Sequence, residues 1–424
     1  MWTDDERRGT RGVVAFDEQA KGLTWLVVKG LLLTAVTFTI YRFWYMTELR
    51  RFFWSRTRIA GSPAEYLGRG KELFLGFLVA LAILVPVYLV LFILGFAVPV
   101  LAPAVPALSA VLLFLLGQYA IFRGRRYRAS RTRWRGIRLG QDGSAAAYML
   151  RASLWWLATM LTLGLAFPFM RAALERYRID HTLVGESRLR STATGRTVLW
   201  PWLAFYAVSL LPIVVAGLIF LNSVGFHPPA DLFVPHPNGK TTAFTFNPRY
   251  AGTAVGTAFR WLVTALSLAF PLVLLLIPFY RAREARAFLS ATHLGEARLR
   301  SNLKARSFYW PYFVYGVTLA CFAAVLGILF MMVIGAIGPK PGPDGQWTVL
   351  VGGGLLYVGT VFLMAVIYTR VVVLGLWEAV ANATVIENVA ALDAVLASAQ
   401  PPASGLNEGL ADALDVGGAL EIGF

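Results

Sequence analysis

The amino-acid sequence predicts an all-α membrane protein, a polytopic helical bundle built from repeated units. Three observations predict it: an apolar composition, long apolar runs along the chain, and basic residues concentrated in short loops between the runs. Of the 424 residues, 57% are hydrophobic, 15% are charged and 14% are aromatic, and the mean hydropathy is +0.62. Soluble domains carry roughly a quarter charged residues, so soluble enzymes, disordered scaffolds and disulfide-stabilised secreted modules are excluded.

Eight apolar segments follow one another along the chain, and a stretch of about 20 apolar residues is long enough to cross a bilayer. They lie near 23–44, 73–95, 102–122, 148–170, 199–221, 257–280, 308–337 and 349–376. Residues 1–20 are predicted to be a polar N-terminal tail, and residues 21–376 the repeat-built transmembrane domain. Residues 377–424 contain seven Asp or Glu and no Lys or Arg, so they are predicted to be an acidic C-terminal tail.

The apolar residues of 377–399 have helical spacing, and residues 400–424 are rich in Gly and Pro. We therefore expect the acidic tail to be an amphipathic helix first and flexible afterwards. The opposite charge of the tail and the basic loops suggests that this helix docks on the loops.

The basic residues predict which loops are cytoplasmic. Lys and Arg number 39 against 23 Asp and Glu, and 27 of the 39 lie in four short loops, at 45–72, 123–147, 171–198 and 281–307. Short loops rich in Lys and Arg remain on the cytoplasmic side of the membrane. We therefore expect these loops and the C-terminus in the cytoplasm, with anionic phospholipid headgroups as the partner. No nucleic-acid-binding module accompanies the charge, so nucleic acid is not an expected partner. The sequence identifies no protein partner.

The loop charges decide between two topologies. If all eight segments crossed, loops 123–147 and 171–198 would face opposite sides of the membrane, although both are rich in arginine. The conflict disappears if 23–44 and 148–170 are interfacial or re-entrant segments. We therefore predict six spans plus these two segments, with eight spans as the alternative. The six spans would form three outward hairpins, at 73–122, 199–280 and 308–376.

The sequence matches itself at an offset of 110 residues, with 15 of 34 positions identical between 168–201 and 278–311. The repeated unit consists of an apolar segment, a basic aromatic helix, a Thr-x-x-Gly turn and a return to the membrane. Glycine is the default residue where a chain reverses tightly. The predicted turn glycines are Gly61, Gly136, Gly185 and Gly295.

The pattern of the repeated unit resembles a known family. The residues that carry the resemblance are Thr34-x-x-Thr37, Tyr41, Trp44, Arg50-Arg51, Thr159-Met-Leu-Thr162-Leu-Gly164 and Arg176-Tyr177 through Gly185. Together they resemble the YjgN-like family of bacterial inner-membrane proteins, a domain of unknown function, over most of residues 13–376. The first copy departs from the family pattern, because Phe38-Thr39 stands where the family favours Leu-Gly. The resemblance implies a multipass bacterial inner-membrane protein and brings no established chemistry.

The repeated arginines are the candidate site residues for lipid or anion binding. They are Arg171, Arg176 and Arg190 in one copy and Arg281, Arg286 and Arg300 in the next. The alternative is a structural ring of ion pairs in which Glu186 and Glu296 are the carboxylates. Four further basic residues border apolar segments, where charge is costly and tends to face a pathway or a partner: Lys29, Arg42, Arg151 and Arg260.

Catalytic and cofactor motifs are not found in the sequence. The four histidines form no metal-binding pattern, and the chain has one cysteine, no phosphate-binding loop and no carboxylate pair within an apolar segment. We therefore expect no enzymatic activity, no cofactor and no metal. Two hypotheses are favoured: a membrane protein for transport or lipid handling, and a non-catalytic scaffold or regulator that binds a partner at its cytoplasmic face. A lipid-modifying enzyme is the third and least favoured.

Overall fold

The computed structural model describes residues 11–17, 19–235, 244–337 and 343–397, and in these residues the chain is mainly helical. The α-helices are α1 Leu23–Val36, α2 Arg42–Arg56, α3 Gly70–Ala97, α4 Val105–Ser130, α5 Ala145–Leu161, α6 Phe167–Asp180, α7 Gly195–Ser209, α8 Leu211–Ser223, α9 Ala254–Ser290, α10 Ala305–Ile337, α11 Pro343–Ile367 and α12 Leu374–Asn382. A π-helix, Tyr368–Val373, joins α11 to α12, and short 3-10 helices lie at Pro248–Tyr250 and Val389–Ala394.

The prediction of an all-α fold is wrong, because the basic loops contain β-strands. The strands are β1 Arg11–Phe16, β2 Thr57–Ile59, β3 Ser62–Tyr66, β4 Thr132–Trp134, β5 Ile137–Gln141, β6 Thr182–Val184, β7 Ser187–Ser191, β8 Phe233–Pro235, β9 Phe244–Phe246, β10 Thr292–Leu294, β11 Ala297–Ser301 and β12 Thr384–Glu387. All except β8 and β9 form one closed barrel, in the order β1-β12-β11-β10-β7-β6-β5-β4-β3-β2. Strands β8 and β9 form a separate two-stranded sheet.

Helical pairs and β-hairpins alternate along the chain, and we call each helical pair with the strands that follow it a unit. Unit 1 is α1, α2 and β2–β3; unit 2 is α3, α4 and β4–β5; unit 3 is α5, α6 and β6–β7; unit 4 is α7, α8, α9 and β10–β11. In unit 5, helices α10 to α12 are followed by β12, which pairs with both β11 and the N-terminal strand β1. The strand order of the barrel follows the order of the units, so the helical pairs surround one barrel in sequence.

A buried threonine begins the first strand of every unit. Its hydroxyl donates a hydrogen bond of 2.7 to 2.9 Å to the carbonyl oxygen four residues earlier, in the last turn of the preceding helix. These threonines are Thr57, Thr132, Thr182, Thr292 and Thr384. The carbonyl groups in the last turn of a helix have no intrahelical hydrogen-bond donor, and the threonine hydroxyl supplies one. The threonine therefore marks the change from helix to strand.

The predicted turn glycines lie in the two-residue turns of the β-hairpins. Their φ angles are positive: 81° at Gly61, 78° at Gly136, 60° at Gly185 and 57° at Gly295. Turns with positive φ match the twist of the flanking strands, and glycine adopts this conformation without a Cβ clash. The chain on each side of these turns is a strand and not the end of a helix.

The barrel is filled by apolar side chains. One buried cluster extends from the inner face of the barrel to α2 and α12, and its members from the strands are Val14, Phe16, Ala64, Tyr66, Trp134, Val184, Leu294, Ala297 and Ile386. Two tryptophans from the helices reach the threonines: Trp54 Nε1 donates to Thr132 Oγ1 at 3.1 Å, and Trp377 Nε1 donates to Thr57 Oγ1 at 2.9 Å. The barrel therefore forms the main core of the described part of the chain.

The two predicted tails are part of this barrel. Residues 11–16, predicted as a polar tail, form β1, and the helix predicted over 377–399 ends at Asn382 and is followed by β12. The helical spacing of apolar residues was misleading there, because Thr384–Glu387 alternates buried and half-buried side chains as a strand does. Residues 1–10 and 398–424, including the segment expected to be flexible, lie outside the described residues.

Within the described residues, five helices are long and apolar enough to cross a membrane. They are α3, α4, α9, α10 and the helix that continues from α11 into α12. A sixth span results if α7 and α8, which meet at an angle of 49°, count as one bent span. The segments 23–44 and 148–170, predicted not to cross, form the two short pairs α1–α2 and α5–α6, and neither pair supplies a candidate span.

The two short pairs turn in the same way. At the tip of α1–α2, Thr37 Oγ1 accepts a hydrogen bond from Tyr41 N at 2.9 Å, and at the tip of α5–α6, Thr162 Oγ1 accepts one from Ala166 N at 3.0 Å. Two consecutive residues with positive φ follow each of these threonines: Phe38 (48°) and Thr39 (72°), and Leu163 (50°) and Gly164 (96°). At the second of these two positions the first tip therefore has a β-branched residue, Thr39, where the second tip has Gly164.

Candidate functional site

The first group of candidate arginines surrounds a buried glutamate. Glu284, on α9, has a side chain that is 4% exposed. The Arg171 guanidinium, on α6, donates from Nε to Oε1 at 2.7 Å and from Nη2 to Oε2 at 3.2 Å. Arg281 Nη1 donates to Oε2 at 3.0 Å, and the Tyr280 hydroxyl donates to Oε1 at 3.1 Å. The aligned arginines 171 and 281 thus meet at one carboxylate, which joins unit 3 to unit 4.

A second buried carboxylate, Glu175 on α6, binds two more arginines. Arg178 Nη2 lies 2.6 Å from Oε2, and Arg125 Nη1, on α4, lies 3.6 Å from Oε1. Burial raises the pKa of the Glu175 carboxyl, but the charges of Arg178, Arg125 and Arg171 outweigh burial, so its pKa is lowered. The carboxylate is therefore ionised at neutral pH, and it joins unit 2 to unit 3.

The glutamates proposed for an ion-pair ring take no part in these clusters. Glu186 and Glu296 follow the turn glycines of β6–β7 and β10–β11, and neither forms an ion pair with a described residue. The backbone N–H of Glu186 instead donates to Leu396 O at 3.1 Å. The carboxylate that does pair, Glu284, has no acidic counterpart in the other copy, where position 174 is leucine. A comparison of the two sequence copies therefore could not identify Glu284 as the carboxylate that binds the arginines.

The other four candidate arginines lie on the surface and do not converge on one site. Arg300, on β11, pairs with Glu387 on β12, with Nη1 and Oε1 3.1 Å apart. Arg176, Arg190 and Arg286 are exposed and form no ion pair with a described residue. Of these three, Arg176 borders a cavity described next.

A cavity of about 200 Å³ lies between the helices of the short pair α5–α6. Its lining includes Arg151, Trp155, Arg176, Tyr177, Asp180 and His181. The Arg151 guanidinium carbon lies 4.5 Å from the centre of the Tyr177 ring. Neither Arg151 nor Arg176 pairs with a described carboxylate, so both positive charges remain available to a ligand.

A second cavity, of about 300 Å³, lies beside the junction of α3 and α4 with the barrel. Its lining includes Arg69, Arg131 and Arg138 together with Glu72. Glu72 accepts hydrogen bonds from Arg131 Nε at 2.9 Å and from the Tyr127 hydroxyl at 2.8 Å. This cavity therefore contains its own carboxylate, already bound to one of the arginines.

The described residues contain no group of three or more His, Cys, Asp or Glu that could hold a metal ion. His181 Nδ1 donates to the Tyr177 carbonyl oxygen at 2.8 Å, which is a structural contact within α6 and its cap. His227 makes a local contact of the same kind, 3.0 Å from the Gly225 carbonyl oxygen.

These features define the class of the protein: a mainly helical protein with five or six helices that are long and apolar enough to span a membrane, and whose helical pairs are attached to a closed β-barrel by arginine-rich junctions. The family model described as "Bacterial protein of unknown function (DUF898)" matches residues 11–413. The chain belongs to this family, which is the YjgN-like family that the motifs resembled. No curated protein and no solved structure matches the chain.

Proposed function

We propose that this protein handles lipids in the bacterial inner membrane, by holding phospholipid between its long helical pairs beside an arginine-rich cytoplasmic barrel. The observation that carries the proposal is the exposure of the spans. In the most apolar 18-residue window of each candidate span, between 0 and 11% of the residues are buried. Apolar surface of this extent must be covered by lipid or by another protein.

The order of the units around the barrel favours a structure with spaces for lipid between the membrane spans. Going around the barrel, the short pair of unit 1 stands between the long pairs of units 5 and 2, and the short pair of unit 3 stands between the long pairs of units 2 and 4. A short pair leaves the outer part of the membrane unoccupied at its position. Phospholipid is the molecule that fills such a space in a bilayer.

Loop charge supports a cytoplasmic barrel. Eight of the ten barrel strands lie in the basic loops, and Lys or Arg near the ends of spans sets the orientation of the spans. Six spans and two re-entrant pairs then place every basic loop on one side. In a Cys321→Ser background, a thiol reagent added from outside should modify Asp344→Cys and not Arg190→Cys. Modification of Arg190→Cys from outside would overturn this topology and favour eight spans.

The packed barrel supports lipid handling over the conduction of a polar solute. Apolar side chains fill the barrel, so a solute passing along its axis would meet a core and not a channel. Lipid that enters sideways between helical pairs needs no such route. The same packing favours the alternative function, a non-catalytic scaffold or regulator that presents the barrel to a partner in the cytoplasm.

Mass spectrometry of the lipids that copurify with the full-length protein separates the two functions. If the protein handles lipid, the detergent-extracted protein should retain phospholipid through a second detergent exchange and lose heat stability when the phospholipid is removed. Protein that carries no phospholipid and is equally stable without it would contradict lipid handling and support the scaffold.

A further inference from the structure

We propose that the cavity between α5 and α6 binds the phosphate headgroup of an anionic phospholipid, whose acyl chains lie along an exposed leucine stripe on α5. This inference rests on the proposed lipid handling and names one site for it. The site combines two arginines that form no ion pair with a described residue, a cavity that both of them line, and an apolar track of the length of one leaflet.

The arginines of this cavity differ from those of the two buried clusters. Arg125, Arg171 and Arg178 are bound to buried carboxylates in the two clusters described above. Arg151 and Arg176 line the same cavity and form no ion pair with a described residue. Guanidinium groups donate several hydrogen bonds in a planar fork that fits phosphate oxygens. Two of them at one cavity attract a phosphate and reject a cationic group.

The lining residues carry a net positive charge, because two arginines face one carboxylate. That carboxylate, Asp180, accepts a hydrogen bond from Ser191 N at 2.8 Å and forms no ion pair with a described residue. The Tyr177 hydroxyl exchanges hydrogen bonds with the backbone of Ser144, and His181 Nδ1 donates to a carbonyl. The Tyr177 hydroxyl is therefore occupied, and Tyr177 contributes to the site through its ring, which lies beneath the Arg151 guanidinium and orients it.

A stripe of leucines begins beside Arg151 and continues to the tip of the short pair. Leu150, Leu154, Leu157 and Leu161 are 59%, 59%, 54% and 77% exposed. Their spacing of four, three and four residues places them on one face of α5. The rise from Arg151 to Leu161 is roughly 15 Å at 1.5 Å per residue. That is about half of a hydrocarbon core of about 30 Å, so the stripe has the depth of one leaflet.

Trp155 lies one turn beyond Arg151 toward the tip and also lines the cavity. Tryptophan is enriched at the boundary between headgroups and hydrocarbon, because its ring is apolar and its N–H is polar. Along α5 the charge of Arg151 comes first and the aromatic ring of Trp155 second, and Leu157 and Leu161 continue the apolar stripe beyond them toward the tip. A phospholipid has the same order of groups along its length.

The test compares a double substitution in the cavity with a matched double substitution elsewhere. In the test protein, Arg151→Gln and Arg176→Gln remove both charges. In the control protein, Arg283→Gln and Arg286→Gln remove two exposed charges from α9; Arg286 aligns with Arg176, and Arg283 lies over the Phe279 ring as Arg151 lies over Tyr177. A third protein with Arg151→Lys and Arg176→Lys retains the charge and shows whether the cavity tolerates substitution.

Native mass spectrometry of the detergent-solubilised full-length proteins measures binding of phosphatidylglycerol and, separately, of phosphatidylethanolamine. Since each basic residue near anionic lipid contributes roughly 1 kcal/mol, loss of both arginines should reduce phosphatidylglycerol affinity by on the order of tenfold to thirtyfold. The control and the lysine protein should retain affinity near that of the parent. Phosphatidylethanolamine binding should change little in all of them.

Three results would overturn the site. Equal phosphatidylglycerol affinity in parent and test protein would exclude the cavity, and an equal loss in the control would mean that only total charge matters. Competition by inorganic phosphate as effective as that by phosphatidylglycerol would identify a site for a free anion. In all three cases the parent still retains lipid, so lipid handling stands; a parent protein that retains no phospholipid would contradict the proposed function itself.

Discussion

Replacement of Glu284 by glutamine tests whether the buried ion pairs hold the helical units together. The change keeps the size of the side chain and removes its charge, which leaves Arg171 without the carboxylate that accepts two of its hydrogen bonds. Removing one partner of a buried ion pair costs about 3–5 kcal/mol, because the remaining charge is left unpaired. The other partner, Arg281, has a side chain that is 56% exposed and can be solvated by water. The loss should therefore come mainly from Arg171 and lie near about 3 kcal/mol.

Heat unfolding followed by tryptophan fluorescence measures this loss. With an unfolding entropy of about 2.1 cal/mol/K per residue, a chain of 424 residues gives roughly 0.9 kcal/mol per kelvin, so about 3 kcal/mol lowers Tm by about 3 °C. The control is Glu296→Gln, which removes an exposed charge in the turn of β10–β11 and should shift Tm by less than about 0.5 °C.

A double substitution shows that the cost comes from the unpaired charge. Arg171→Met alone should cost less than Glu284→Gln, since the carboxylate keeps its bonds to Arg281 and Tyr280. Arg171→Met combined with Glu284→Leu removes both buried charges and should recover most of the lost stability. The reasoning would be refuted if Glu284→Gln unfolded at the same temperature as Glu296→Gln.

Three further predictions concern single positions, each measured as Tm in the same detergent. Thr39→Gly should raise stability by about 1–2 kcal/mol because it relieves a positive φ of 72°, whereas Gly164→Thr should lower it by at least as much at a φ of 96°; the opposite order would contradict the shared tip geometry. Glu175→Gln should be destabilising at neutral pH, and the difference from the parent should shrink as pH falls below about 4.5, since a carboxyl with a lowered pKa contributes stability that is lost as pH falls through its folded-state pKa; a difference that stayed constant from about pH 7 down to about pH 2 would argue against it. Gly185→Ala should cost clearly more than Gly295→Ala, because an added Cβ would collide with a backbone carbonyl at the first position and meet open space at the second; equal losses would mean that backbone strain alone matters.

The apolar part of the fold could be predicted from the sequence because it depends on local composition. The long apolar runs are helices, and the two segments set aside by the loop-charge argument, 23–44 and 148–170, are the short pairs. The turn glycines could also be predicted, because a recurring glycine after threonine has a local conformational reason. Each of these features depends on residues close together in sequence.

The barrel could not be predicted in this way, because its strands are short and their partners are distant. Most first strands have three residues, too few for an alternating pattern to be recognised. Strand β1 pairs with β12, for example Arg11 with Glu387, almost the whole length of the chain away. A signal is present in Ser187–Ser191, where basic and other residues alternate two residues after the turn glycine Gly185. The sequence analysis counts its arginines as part of a basic cytoplasmic loop.

The pairing of the arginines could not be predicted from the sequence, for a similar reason. Counting arginines identifies the basic junctions, but it does not separate the paired arginines from the unpaired ones. Whether an arginine is paired depends on Glu175 and Glu284. Neither glutamate has an acidic residue at the aligned position of the other copy, so a comparison of the two copies does not identify them. Arg151 was noted because it borders an apolar segment, and its position beside Arg176 required the packing of α5 on α6.

The contact between the acidic end of the chain and the basic barrel has a different physical basis from the charge attraction that the sequence suggested. Two ion pairs do join them, Arg300 with Glu387 and Arg135 with Asp393. Both are substantially exposed, and such pairs contribute about 0–1 kcal/mol each and weaken in salt. Pairing of β12 with strands on both sides and burial of Leu392 in the core contribute more, because they satisfy backbone groups and remove apolar surface from water. The described part of the C-terminal segment is thus a structural element that closes the barrel, and high salt alone should not release it.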